Sequence, residues 1–352
     1  MRKIFSISML IVGTMIGAGF CSGREIVSFF GNRISIAVAP ACGVLIFLCC
    51  VVFLFVSSRV NGNSIDKVNA SVLGKFGLIA NLFLLLNSVI VLSAMIAGLN
   101  SLCKPFISFP IIGSIAAILC AAIANRGLKG MLKCNLILVP FMIVVIACTC
   151  LRSLSSGDLS LSVGEFKAGG ILKCIMYVSM NMMLACTALT TMGKLTKKQI
   201  FLSSGIASVV ITLLLALLIC TLNCNGNTDS AMPILAISAS VGKWICVVIG
   251  IITAISIFTT MLTCVGSLLS YAEGKLGGKV FNSAIVVILG TGLGLFGFTK
   301  VVDLFYPLVG FFGIFYIVAC IVFLVKKENK EVKRIRIKKC KKRRLRKQRA
   351  FS

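Results

Sequence analysis

Histidine is absent from this 352-residue chain. That removes imidazole metal ligands, histidine proton relays and histidine-dependent nucleophilic triads together. Acid is scarce as well: nine aspartates and glutamates stand against 36 lysines and arginines. They are Glu25, Asp66, Asp158, Glu165, Asp229, Glu273, Asp303, Glu328 and Glu331, and only Glu25 falls well inside a hydrophobic run. Paired-carboxylate chemistry within the apolar part of the chain therefore has almost no material. These two shortages argue against a membrane-embedded enzyme, and the chain is read as a non-enzyme. Charge of either sign is rare, at 13% of residues against about a quarter in an ordinary globular domain.

Apolar sequence takes its place, with 59% hydrophobic residues and a mean hydropathy of +1.08. This is the composition of an all-α, polytopic membrane protein. Seventeen cysteines suggest redox or metal chemistry at first. They are scattered through apolar runs without CxxC pairs or histidine partners, and free cysteine behaves as a small hydrophobe. A Cys220–Cys224 disulfide is within reach of the spacing but has nothing further to support it. No cofactor is expected. The N-terminal run after Arg2 and Lys3 resembles a signal peptide. Phe20 before Cys21 spoils a lipoprotein-type cleavage site, and the apolar run continues to Phe30, so it reads as a retained first span.

About 20 apolar residues cross a bilayer. Such stretches lie near 4–30, 34–58, 77–102, 107–124, 131–151, 170–192, 200–223, 244–271, 281–299 and 303–325. The ten divide five and five around the longest break, 152–169. Positive charge orients them. Thirteen loop lysines and arginines fall on the side of Arg2 and Lys3 against seven on the other, and fifteen more lie in 326–352. Both termini are expected in the cytoplasm. The run Lys341–Arg349 reads foremost as a topology anchor; binding of anionic lipid headgroups is a second use, and nucleic acid is not expected as a partner.

The first span carries the least ordinary motif, Gly13-Thr14-Met15-Ile16-Gly17-Ala18-Gly19-Phe20-Cys21-Ser22-Gly23-Arg24-Glu25-Ile26. Glycine is a poor helix former that permits other backbone geometry or a close approach, and backbone freed within a membrane must line a buried site. Interrupted spans point to transporter binding sites; close helix packing by small residues is the other account. This motif resembles the opening of the YkvI family of bacterial membrane proteins. That family is similar to the amino acid–polyamine–organocation superfamily with the LeuT fold. Met-Tyr-Val-Ser-Met-Asn at 176–181 is a weaker second match, while Cys21, Arg24 and Met180 depart from the pattern.

The resemblance implies ten helices in a five-plus-five inverted repeat, about 4–151 and 170–325, with helices 1 and 6 broken at the midplane and a tail at 326–352. It implies a secondary transporter of a small organic solute, such as an amino acid, in a bacterial cytoplasmic membrane. A solute-sensing subunit of the germinant-receptor type is the alternative. If the first helix stops near Ile16 and restarts near Gly19, the second half turns its N-terminal dipole inward, towards an anion such as a carboxylate. The expected solute site is then Gly17, Ala18, Gly19 and Phe20, with Tyr177, Ser179 and Asn181 across from them. Polar residues in the sixth span would allow a break without glycine, although 171–192 holds neither glycine nor proline.

In the eighth span Thr253, Ser256, Thr260, Thr263, Ser267 and Ser270 recur at steps of three and four, beside Thr259. That spacing makes one polar stripe, which must face protein or a cavity rather than lipid. In a LeuT-like arrangement sodium would lie between the Gly13 and Ile16 carbonyls and the Ser256, Thr259 and Thr260 oxygens. Arg24 and Glu25 are expected in an outer vestibule or gate, Glu25 roughly 12 Å beyond the break at 1.5 Å per residue. Glu25 is also the carrier that proton coupling would use. Asp303 reads as a helix-start residue.

Overall fold

The computed structural model describes residues 2–61, 64–107, 109–126, 131–156, 168–226, 229–273 and 277–349, with side chains at all of these but 18, 131–137, 156, 168 and 328–349. Every regular element among the described residues is helical. The predicted first span consists of three pieces: α1 (Arg2–Met15), α2 (Ala18–Ser22) and α3 (Arg24–Phe30). There follow α4 (Val38–Val60), α5 (Ile65–Leu73), α6 (Gly77–Cys103), α7 (Ile112–Asn125) and α8 (Met131–Ser156). The second half holds α9 (Ala168–Thr190), α10 (Lys197–Asn225), α11 (Pro233–Val241), α12 (Lys243–Ala272), α13 (Lys279–Gly294) and α14 (Phe298–Arg349).

Seven helical stretches are long and apolar enough to cross a membrane, and α7 and α13 are shorter apolar helices. Each of these overlaps one of the predicted spans. The chain is a multi-pass membrane protein. Large apolar side chains such as Leu48, Leu213 and Phe315 are exposed on its flanks, as lipid-facing helices require.

The boundaries differ from expectation in places. The ninth span ends at Gly294 instead of 299, because Gly297 adopts a φ of 86° that a helix cannot continue through. The tenth therefore starts at Phe298. Two short helices, α5 and α11, lie between the predicted spans; α11 starts on Pro233, whose fixed φ suits a first helical position. Residues 157–167 of the predicted central break, with Asp158 and Glu165, lie outside the described residues. So do the side chains of the basic tail from residue 328.

The packing sets the site. α1 lies against α8, α9 and α10, while α12 lies against α6 and α7, and α9 is clasped between α4 and α14. Small residues let these helices approach: a side chain on Gly310 would meet the Met176 backbone, and one on Gly113 the Ile96 backbone. Each of the described cysteines is free, Cys220 and Cys224 included, and many are buried in this packing.

Candidate functional site

The motif of the first span ends one helix and starts another within two residues. The Gly17 amide donates to Met15 O at 2.9 Å, and so turns away from the Gly13 carbonyl that a continuous helix would give it. Gly17 itself is extended, at φ −87° and ψ −177°. Helical bonding resumes with Cys21 N–H donating to Gly17 O at 3.0 Å. The restarted helix lasts only five residues, because Gly23 at φ +77° closes α2 and opens α3 in a new direction. An L side chain rarely adopts that conformation. The strong inward helix dipole expected here therefore has little helix to produce it, since a macrodipole grows from many aligned peptides.

Across from the break stands the polar stripe of α12. Ser256 is fully buried and its Oγ donates to Ile16 O at 3.2 Å. Thr259 Oγ1 donates to Ser256 O at 3.1 Å, and a methyl on Gly17 would lie 3.9 Å from Thr260 Oγ1. Ser256 thus meets Ile16, Thr260 comes near Gly17, and Gly13, Thr259 and Thr260 line a common cavity.

The sixth span is not broken as anticipated. α9 is one continuous helix over Ala168–Thr190. With neither glycine nor proline from Ile171 onwards its backbone has no reason to part, and Asn181 Nδ2 donates to its own helix at Tyr177 O, 3.1 Å away. Tyr177 is 1% exposed and its ring packs edge-on against Phe29 and Phe30, with centroids 5.5 and 5.4 Å apart. Ser179 is buried against Gly313 of α14. Phe20 and Gly19 are buried too, and the side chain of Ala18 lies outside those described.

The open space lies further along. A cavity of about 230 Å³ is walled by Gly13 and Thr14 of α1, Asn87 and Ser88 of α6, Thr187 and Thr191 beyond α9's midpoint, and Thr259, Thr260, Thr263 and Ser267 of α12. No charged side chain lines it. Asn87 Oδ1 is buried there without a hydrogen-bond partner among the described residues. A second lobe of about 330 Å³ shares Ser88, Thr187, Thr191 and Ser267 and runs on to Ser64, Asp66 and Tyr271. The hydroxyls of Thr263 and Ser267 donate to the carbonyls of Thr259 and Thr263, so the stripe both lines the cavity and bonds to its own helix.

The other end is shut. Arg24 pairs with Asp303 of α14, Nε lying 3.2 Å from Oδ1, and its Nη1 donates to Ser230 O. α11 packs over α2, with Ile234 against Gly23. Asp303 is therefore more than the helix-start residue that its position suggested. Glu25 does not sit in an open vestibule: the bend at Gly23 turns it back, and it is 2% exposed. Asp303 is 279 residues from Arg24; the only sequence hint was an isolated acid at the mouth of a span.

No protein-family model matches the chain. It is 27% identical over 224 residues to an uncharacterized membrane protein, YkvI, of Bacillus subtilis (strain 168), a match covering 60% of this chain and 63% of that protein. The match thus spans less than two thirds of the relative's length. Among solved structures, the inward facing conformation of Mhp1 superposes with a TM-score of 0.61 at 12% identity, over 87% of this chain and 73% of Mhp1. MhsT in complex with L-phenylalanine superposes at 0.59 with 16% identity, over 89% and 87%. Both are LeuT-fold transporters. The chain has the LeuT fold and resembles YkvI. Its closed end at Arg24 and its open end at Ser267 can now be placed within that fold.

Proposed function

We propose that this chain is a secondary active transporter of a small organic solute, working by alternating access between two inverted five-span halves. The observation that carries the reading is one-sidedness. A hydroxyl-lined cavity, uncharged beside the break and reaching Asp66 in its second lobe, leads from the break to one end of the molecule, while the Arg24–Asp303 pair and α11 cover the other. Alternating access requires such an arrangement and its opposite. Arg24 serves as the outer gate. A lining without charge suits a neutral or zwitterionic solute, such as an amino acid, and the bare Asn87 Oδ1 can accept a hydrogen bond from it.

Sodium is the coupling ion in this reading. Its ligands in this reading are the Gly13 carbonyl, which Gly17 does not bond, the Ile16 carbonyl, which meets Ser256, and oxygens of Ser256, Thr259 and Thr260. A hard cation takes such oxygen ligands without needing a carboxylate. The test is uptake of a radiolabelled L-amino acid mixture into proteoliposomes holding this chain alone, with a sodium or a choline gradient at fixed pH. Uptake should require sodium, and Thr259→Val/Thr260→Val should abolish that requirement. Wild-type uptake indifferent to sodium would remove the ion site. Binding without any uptake would favour a sensing subunit instead.

A further inference from the structure

Glu25 stands in the first turn of α3, and its side chain folds back over α2 onto Gly19. A methyl group on Gly19 would overlap the Cγ and carboxyl atoms of Glu25. The glycine of the motif therefore holds open the room that the carboxyl occupies. Glu25 Oε2 is buried with no hydrogen-bond partner among the described residues, and the residue as a whole is 2% exposed. The neighbouring guanidinium is directed elsewhere, to Asp303 and Ser230 O. α2, α9 and α14 pack around α3. They bring Cys21, Tyr177 and Tyr306 within electrostatic reach of the carboxyl group; Asp303, one turn from Tyr306, carries the Arg24 pair.

None of these neighbours supplies a positive charge to Glu25. An ionised carboxylate sealed in such surroundings would cost several kcal/mol even after relaxation. A neutral carboxylic acid costs only what a buried polar group costs. Glu25 does not line either lobe of the cavity, and its carboxyl lies against Gly19. A proton needs no space.

We propose that Glu25 is a proton-binding site on the outer side of the break: the carboxylate takes a proton from external water while Arg24 and Asp303 are apart, and the outer side closes only over the protonated form. The chain would thus bind a proton on closing, at a place distinct from the oxygen ligands facing α12. The role rests on the alternating-access reading; the protonation itself does not.

The test uses the purified full-length protein and reads no transport. Infrared spectroscopy at neutral pH should show a protonated-carboxyl carbonyl band that Glu25→Gln lacks. Hydrogen exchange of segment 18–31, corrected for its intrinsic pH dependence, should quicken about tenfold per pH unit once closure needs one proton. In Glu25→Gln it should be slow and flat. Absence of a Glu25-dependent band at neutral pH, or exchange in Glu25→Gln that tracks wild type at every pH, would overturn the proposal. Should Glu25→Gln not fold, Glu25→Asp decides: a band whose midpoint moves with the substitution supports it, and an unmoved band assigns the signal to another acid and overturns it. Failure here with solute uptake intact leaves the transport reading standing. Both signals without any uptake leave a proton site in a protein that does not transport.

Discussion

The two ends of the first span are built from different chemistry. Beyond Gly17 the segment meets α9 through Phe29, Phe30 and Tyr177, α11 through Ile234, and α14 through the Arg24–Asp303 pair. Before Gly17 it faces Thr187, Thr259, Thr260 and Asn87 across open space. In the proposed cycle, charge is used where a seal must be made and broken. An ion pair gains most when dry and little when wet, so water entering on the outer side releases it cheaply. The open end uses hydroxyls, which fall back on their own helix carbonyls when no solute is present, as Thr263 and Ser267 do. A wall of charges would hold water or a counter-ion too firmly to let a neutral solute pass.

The strongest way to break this contrast is Arg24→Ala. It removes the pair and leaves Asp303 uncompensated. Breaking a fully buried pair costs about 3–5 kcal/mol; the Asp303 side chain is 38% exposed, so about 2 kcal/mol against the closed outer side is a fairer expectation. That is roughly a 30-fold shift towards the outward-open form. Hydrogen exchange across residues 24–30 should rise accordingly, and Asp303→Ala added to it should cost little more, because the two act as one unit. If exchange in Arg24→Ala stays at the wild-type level, apolar packing alone shuts the outer side.

Two glycines sharpen the contrast further. In Gly19→Ala the new methyl group overlaps the Glu25 side chain, an overpacking expected to cost about 1–3 kcal/mol. Gly17→Ala should be close to neutral: its φ of −87° suits alanine, and the nearest atom, Thr260 Oγ1, is 3.9 Å from the added carbon. Thermal unfolding of the purified variants separates them. Equal melting temperatures would mean that Glu25 moves aside freely, and that Gly19 is no cradle.

The break was legible from composition because three glycines in one apolar run leave few alternatives. That Ser256, Thr259 and Thr260 share one side of α12 followed from spacing, since a helix keeps residues three and four apart on one face; the meeting of Ser256 with Ile16 was implied by the LeuT resemblance and not by the spacing. What was hidden was direction. Counting 1.5 Å per residue placed Glu25 far from the break, and one positive φ at Gly23 brings it back. A polar cluster in the sixth span suggested freed backbone, but Asn181 spends its amide on its own helix. The pairing of Arg24 with Asp303 depends on α3 meeting α14, which no local pattern encodes.

The smallest effect comes from comparing two serines of the same stripe. Ser267 is half-buried at the open end, and its Oγ donates to Thr263 O of its own helix at 2.9 Å. That carbonyl stands in mid-helix, where the ladder supplies it with a backbone donor, so Ser267→Ala should change stability by less than about 0.5 kcal/mol. Ser256 is fully buried beside the break, and its Oγ crosses to Ile16 O on another element. Ile16 lies outside any helix, so its carbonyl depends on that hydroxyl, and Ser256→Ala should cost about 1 kcal/mol or somewhat more. Chemical unfolding of the two variants in one detergent measures the difference. If Ser267→Ala proves the more damaging, the stripe holds the helix together at its open end, and the division between a sealed half and a permissive half has been drawn in the wrong place.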